Sequence, residues 1–199
     1  MPYPELMVRL VESFAKMPGV GRRTAERFAF YILRAPRKEV EDFSKLIVKV
    51  NESIRYCQEC FNLSEQPLCH ICEDPTRDHS LICVVQDPKD IIAIEKAGDY
   101  QGIYHVLLGV LSPLDGIGPR DIKIKELLDR LKNREINEVI VGTSSDTEGD
   151  ATFLYLSKQL KPFNLKVTRI AHGVPIGSAL EFVDRATLSR AFRERQRVC

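Results

Sequence analysis

Apolar residues recur with a helical period through the first fifty-five residues of the chain. Leu6, Leu10 and Phe14 repeat every four positions, which indicates an amphipathic helix. The same spacing predicts three helices in this region, over 4–16, 22–33 and 39–56. The run Met17-Pro-Gly-Val-Gly separates the first two helices, and Pro36 separates the second from the third.

The pattern changes in the second half, where short apolar runs alternate with amphipathic stretches. The predicted strands cover 81–85, 102–108, 138–141 and 165–170. The predicted helices between them cover 88–97, 121–132 and 150–160. Strands that alternate with helices indicate an α/β fold, with a parallel sheet and helices on both faces. Ligands bind such sheets at the carboxyl ends of the strands, which here are residues 86–87 and 143–150.

Four cysteines lie between these two regions in a Cys-x2-Cys-x8-Cys-x2-Cys spacing. Such pairs direct four sulfur atoms at one ion, so Cys57, Cys60, Cys69 and Cys72 predict a tetrahedral zinc site. Residues 61–68 between the pairs are too polar to form a core, so the metal is expected to hold this knuckle together. Because all four ligands come from protein, the zinc is predicted to be structural. Two disulfides, or four unrelated buried thiols, are the alternatives.

The turn between the first two helices predicts a phosphate contact. Gly19 and Gly21 allow a close approach of the backbone, and the amides at a helix start attract anions. Arg22, Arg23 and Arg27 surround this point. We expect DNA binding without base readout, and expect a side chain at Gly21 to obstruct the phosphate and strain the turn. A plain helical turn that requires glycine is the alternative.

Differences in composition and charge along the chain predict four segments. The 199 residues divide into a helical segment over 1–55, a knuckle over 56–77, an α/β segment over 78–172 and a tail over 173–199. Eleven Lys and Arg against seven acids make 1–55 basic, whereas the knuckle has one arginine against four acids. The basic end suggests an anion contact, although ordinary solvated faces fit the charge pattern equally well.

Features of location point to the cytoplasm. The chain has no run of eighteen apolar residues, which predicts no membrane span, and its start lacks the regions of a secretory signal. Four thiols committed to zinc suit a reducing compartment. Cys199 ends the chain, where we expect it at the surface.

The order of hairpin, knuckle and α/β segment resembles the bacterial recombination mediator family RecR, whose α/β segment is a Toprim domain. The resemblance rests on the residues from Met17 to Phe30, the cysteine spacing and a set of short motifs. These motifs are Ile82-Cys-Val-Val, Leu111-Ser-Pro-Leu-Asp-Gly-Ile-Gly-Pro, Glu148-Gly-Asp-Ala-Thr, Ala171-His-Gly-Val-Pro-Ile-Gly and Leu180-Glu-Phe-Val-Asp.

The resemblance implies a homo-oligomeric ring, expected to be a tetramer, that acts as a DNA clamp. It also implies that the partners RecO and RecF help load RecA onto single-stranded gaps. Arg23 and Arg27 occupy positions where the family commonly has basic residues implicated in DNA binding. The tail is similar to a Walker B-like element that ends in Asp184, and its apolar residues predict a packing or assembly segment.

The chain departs from catalytic Toprim domains, which carry a glutamate after the first strand and Asp-x-Asp after the third. Gln86, Ser144 and Asp146 occupy those positions, and an amide and a hydroxyl suit Mg²⁺ poorly. We therefore expect no enzyme activity. The acids Asp146, Glu148 and Asp150 remain candidates for a weak Mg²⁺ site or for contact with a basic partner. A metal-dependent Toprim enzyme that cuts or joins nucleic acid, and an adaptor that binds protein only, are the alternatives.

Overall fold

The computed structural model describes residues 3–195, and this stretch of the chain divides into two compact units between Ile54 and Arg55. The first two residues and residues 196–199 lie outside the described range. The surface position expected for Cys199 therefore falls outside the described residues.

The first unit consists of helices, as the apolar period predicts. They are α1 (Glu5–Ala15), α2 (Arg22–Arg34) and α3 (Arg37–Ser53). α1 and α2 pack on each other through Val11, Ala25 and Ala29, whose small or branched side chains allow a close approach. α3 ends three residues earlier than predicted because Ile54 is extended and Tyr56 joins a strand.

The apolar face of α3 is uncovered among the described residues of the first unit. No residue of this helix is buried, and Phe43 and Leu46 are 48% and 57% exposed. The period therefore identifies the helix correctly, while the neighbour that its apolar face requires is absent from residues 3–195.

The second unit combines the knuckle with a parallel sheet. A two-stranded antiparallel pair, β1 (Arg55–Tyr56) with β2 (Leu63–Ser64), and the short helix α4 (His70–Glu73) form the knuckle. The sheet contains β3 (Asp78–Val85), β4 (Gly102–Val106), β5 (Glu138–Val141) and β6 (Lys166–Arg169) in the order β4-β3-β5-β6. All its neighbouring strands are parallel, as predicted. The helices are α5 (Pro88–Ala97), α6 (Ile124–Lys132), α7 (Thr147–Leu160) and α8 (Arg185–Arg193), with short 3-10 helices at Lys161–Phe163 and Leu180–Phe182.

Alternate residues of the strands enter two different cores. Ile82 and Val84 face one core, which α6 and α7 complete with Leu127 and Leu156. Cys83 and the other alternate residues face a second core, which contains Ile91 of α5 and all four cysteines of the knuckle. The knuckle thus belongs to the packing of the sheet.

Two helix starts differ from prediction where an aspartate side chain accepts a hydrogen bond from a nearby backbone amide. α7 begins at Thr147 instead of residue 150, because the Asp146 carboxylate accepts a hydrogen bond from the Gly149 amide. α6 begins at Ile124 instead of residue 121, because Asp121 folds back to accept from the Gly118 amide. Within residues 3–195, no helix is long and apolar enough to cross a bilayer.

Candidate zinc centre and nucleic-acid interface

Four buried sulfur atoms meet in the knuckle. The Sγ atoms of Cys57, Cys60, Cys69 and Cys72 all lie within 4.8 Å of one another. A tetrahedral zinc with bonds of about 2.3 Å would place its sulfur ligands about 3.8 Å apart. The Cys60 and Cys69 sulfurs are 3.5 Å apart, so the site fits this ion. Elsewhere in residues 3–195, no group of three or more ligating side chains is gathered this closely.

Local backbone geometry brings the two cysteine pairs together. The first pair lies in a tight turn, in which the Cys57 amide donates to the Asn62 carbonyl and the Phe61 amide donates to the Cys57 carbonyl. The second pair lies at the start of α4, with Cys69 as its N-cap and Cys72 within its single turn. The Cys69 amide donates to the Cys57 sulfur over 3.3 Å. The thiols also hydrogen-bond one another, which lowers the pKa of Cys57 and raises the pKa of Cys60 and of Cys72.

The hairpin between α1 and α2 contains the two glycines of the predicted phosphate site. Gly19 has a φ of +77°, a left-handed conformation that other residues adopt only with strain. Gly21 has a φ of −74° and precedes α2 without a side-chain cap. A Cβ atom added to Gly21 would meet nothing within 4 Å, so the expectation that a side chain here strains the turn is wrong.

Three arginines project from the first turns of α2. Arg22, Arg23 and Arg27 are all exposed, and Arg22 lies 3.9 Å from Glu26. Within residues 3–195, neither Arg23 nor Arg27 has a carboxylate partner within 4.0 Å. Both side chains also line a groove of about 1200 Å³ in the first unit, together with Phe14, Phe28 and Phe43. The structure therefore places the predicted cations and the glycines at one end of α2.

The carboxyl edge of the sheet holds an uncharged link at the positions where catalytic Toprim domains carry acids. The Gln86 side-chain carbonyl accepts a hydrogen bond of 3.1 Å from the Ser144 amide. The Ser144 hydroxyl is buried and has no partner among the described residues. A Cβ atom on Gly149 would come within 2.2 Å of the Ser144 carbonyl, so this helix start requires glycine.

The three acids of this edge have separate surroundings. Asp146 caps α7, and Glu148 is half-buried without an ion-pair partner in the described chain. Asp150 lies 2.5 Å from Arg169 Nη2 and 3.1 Å from Arg190 Nη2. Burial alone would raise the pKa of Asp150, but hydrogen bonds from these two arginines outweigh it and lower the pKa. The structure does not gather the three carboxylates into one ligand group.

Some partners of these sites escaped the sequence reasoning. Arg169 and Arg190 were not expected at Asp150, because 19 and 40 residues separate them from it. Arg130 was not singled out from the sequence, yet it is buried against Glu59 of the knuckle. Its position three residues after the buried Leu127 was the available signal, since that places an arginine on the apolar side of the helix.

Family models match four consecutive segments of the chain. The model described as RecR, helix-hairpin-helix matches residues 7–50, and the RecR model for a zinc finger domain with four cysteine ligands matches residues 54–74. The Toprim domain model matches residues 80–171, and the model described as RecR, C-terminal matches residues 173–196.

These matches agree with the geometry of the sites. The four cysteines form a structural zinc centre, the first unit contains a helix-hairpin-helix, and the parallel sheet belongs to a Toprim domain. Such domains, in this order, support a role in recombinational DNA repair. The chain belongs to the RecR family.

Proposed function

We propose that this protein is a non-catalytic DNA clamp of recombinational repair. It acts in the cytoplasm with RecO and RecF, and helps load RecA onto single-stranded gaps. The partners follow from membership of the family, and the DNA contact follows from the first unit of the chain.

The hairpin is the observation that carries this proposal. Gly21 lies in open space, so its missing side chain serves no contact within the chain. It leaves room instead for an outside group at the start of α2, where backbone amides point toward solvent and the helix dipole favours an anion. Arg23 lies in the first turn of α2 and Arg27 in the second, both without acidic partners in the described chain. A DNA phosphate fits this combination of space, amides and charge.

Self-association supports the clamp. The uncovered face of α3 and the groove beside Phe43 expose a continuous apolar area. Most protein surfaces expose apolar residues only singly, so an area of this kind indicates an interaction site. A second copy of the chain fits them, since the same face in each copy offers matching apolar area. A tetrameric ring would then present several hairpins to one duplex and raise the effective concentration of each contact.

The edge of the Toprim sheet supports a role without catalysis. Gln86 and Ser144 supply no charge for Mg²⁺, and two arginines neutralise Asp150. Glu148 retains its charge for a weak ion or a basic partner.

A salt titration of DNA affinity tests the proposal. Full-length protein, Arg23→Ala and Arg27→Ala are compared on two unrelated DNA sequences. Each lost phosphate contact should reduce the slope of log affinity against log salt by about 1 per subunit engaged, equally on both sequences. Lys158→Ala is the matched control, because it removes one exposed charge from α7 in the second unit.

Two results would contradict the proposal. Unchanged slopes in both arginine variants would remove the hairpin as the DNA site. Cleavage of labelled DNA by the pure protein with Mg²⁺ or Mn²⁺, abolished by Glu148→Ala, would favour a Toprim enzyme instead.

A further inference from the structure

A carboxylate from inside the metal-binding turn reaches across to the Toprim domain. Glu59 lies between Cys57 and Cys60, and its side chain is 17% exposed. Its Oε1 atom lies 2.6 Å from Arg130 Nη2 and 2.7 Å from Arg134 Nη1. Both arginines come from the end of α6 or just beyond it, about seventy residues later in the chain.

Arg130 is buried to an unusual degree for an arginine, with a side chain that is 6% exposed. Its Nη1 atom donates a hydrogen bond of 2.6 Å to the Tyr104 carbonyl in β4, and its Nε atom has no partner in the described chain. A buried guanidinium is costly unless a carboxylate offsets its charge. Within residues 3–195, Glu59 is the acid within 4.0 Å of it.

The first cysteine pair is therefore attached to β4 at two points. One is the chain of contacts from Glu59 through Arg130 to the Tyr104 carbonyl. The other is the Val106 amide, which donates a hydrogen bond of 2.8 Å to the Cys60 carbonyl. The second pair is tied in turn to the first, through the bond from the Cys69 amide to the Cys57 sulfur. The position of all four ligands thus depends on how firmly the first turn is held.

Charge adds to this geometry. Four thiolates outnumber the charge of one zinc ion, so the loaded centre is anionic, and Glu59 adds a further negative charge beside it. Arg130 and Arg134 offset that charge from the side of the sheet. Contacts of this kind around metal ligands commonly change metal affinity by about 10- to 100-fold.

We propose that Glu59 and Arg130 are positioning residues of the zinc centre. They hold the first cysteine pair against β4 and thereby set how long the metal stays bound. Neither residue touches the metal, and the ligand geometry they maintain is what they contribute.

Zinc release from full-length, zinc-loaded protein tests this. A chromogenic chelator in excess reports the release rate for wild type, Glu59→Gln, Arg130→Met and the double variant. Glu59→Gln and Arg130→Met should each release zinc about tenfold faster. The double variant should release zinc more slowly than the product of the two single effects predicts, because both changes break the contact between Glu59 and Arg130. If Arg130→Met fails to fold, Arg130→Lys is used in its place. Lysine keeps the charge but has a single nitrogen, so it cannot bind Glu59 and the Tyr104 carbonyl through two separate nitrogens.

Glu65→Gln is the matched control, because Glu65 is an exposed acid of the same knuckle without an ion-pair partner in the described chain. Its release rate should equal that of wild type. The global unfolding rate of each variant is measured in parallel, together with the visible absorption of the Co²⁺-substituted protein. Faster release without faster unfolding, and shifted Co²⁺ bands, are the expected results. Unchanged release, release that rises only with the unfolding rate, or wild-type bands in both variants would overturn the proposal.

Discussion

Gly19 and Gly21 stand two positions apart in one turn, yet the chain requires glycine at only one of them. Gly19 is left-handed, and a side chain there costs roughly 1–2 kcal/mol whatever space surrounds it. Gly21 has an ordinary backbone and open surroundings, so the fold itself tolerates a side chain. The demand for glycine at Gly21 comes from an outside partner, if the hairpin binds DNA as proposed.

Substitution separates the two demands. Gly19→Ala should lower the free energy of unfolding by about 1 kcal/mol, because a left-handed backbone strains any side chain. Gly21→Val should weaken DNA binding by about tenfold, because it blocks a charged hydrogen bond to phosphate. Its stability should fall by only about 0.5 kcal/mol, the order of a weaker N-cap. Urea unfolding and fluorescence anisotropy on labelled DNA measure the two effects. Equal affinity of Gly21→Val and wild type would contradict the prediction.

His105 predicts a dependence of stability on pH. It is fully buried in β4, where burial lowers its pKa to about 4 and its Nε2 atom lies 2.7 Å from the Lys123 carbonyl. The unfolded chain binds a proton near pH 6.5, whereas the folded chain binds it only near pH 4. The contribution of His105 to the free energy of unfolding should therefore be fully present above about pH 6.5. It should decrease as the pH drops toward 4, by about 3 kcal/mol in total.

His105→Asn tests this, because it removes the titrating imidazole. Between about pH 6.5 and 4 the unfolding free energy of this variant should fall less steeply than that of wild type. Both proteins carry the same cysteines, so the difference between the two curves isolates the imidazole. His70→Asn, which changes an exposed histidine, should follow wild type, and parallel curves for His105→Asn and wild type would contradict the assignment.

At the scale of elements, α3 is a complete helix whose apolar face has no neighbour among the described residues of the first unit. Phe43 and Leu46 lie on that face, and Lys45 lies on the opposite one. Apolar side chains of this size contribute about 1.5–3 kcal/mol each when they are covered. Burial of these side chains against a second copy of the chain would gain this free energy.

Charges on the face should dissociate the oligomer. Phe43→Asp with Leu46→Asp should weaken self-association by about 4 kcal/mol, roughly a thousandfold, and DNA affinity should fall with it. Lys45→Asp is the control, since it adds an acid to the other face and should leave the oligomer intact. Size-exclusion chromatography with light scattering measures the mass. A doubly substituted protein with the mass of wild type would show that another surface joins the copies.

The sequence predicts the bounds of helices and strands better than it predicts the contacts between them. Periods of about 3.6 and 2 place the predicted helices and strands, such as α2 and β5, to within about three residues, because one face of each follows its own local pattern. The strands and helix of the knuckle and α8 were not predicted. The cysteine spacing predicts the zinc site because its ligands are near neighbours. The contacts of Asp150 with Arg190, and of Glu59 with Arg130, join distant residues, and no local pattern records which ones meet. No residue of α3 is buried among the described residues, and no local pattern along the chain records what its apolar face meets.

At the scale of the whole molecule, the knuckle and the sheet share one core. Tyr104 and Val106 of β4 pack with the four cysteines, and the Val106 amide is bonded to the Cys60 carbonyl. The loss of zinc should therefore reach the sheet. The effect should be smallest in the other core, where Leu156 of α7 packs on the opposite face of the sheet.

Metal removal followed by amide hydrogen exchange measures how far the effect extends. After zinc is removed by a chelator, protection of the Val106 amide should fall by at least about a factor of ten, because its acceptor is no longer held. Amides of α7 around Leu156 should lose much less protection, and they serve as the internal control. Equal protection of Val106 with and without metal would mean that the knuckle packs on the sheet without supporting it.

The shared core also has a consequence for synthesis on the ribosome. Cys57 to Cys72 emerge before β4, whose residues complete the core around them. The helical unit that ends at Ile54 can pack α1 on α2 earlier still, since domains fold as units from the N-terminus. Between these two events, the four thiols of the knuckle are not yet covered by β4. Metal capture at that stage would keep these thiols from reacting while the remainder of the core is still being translated.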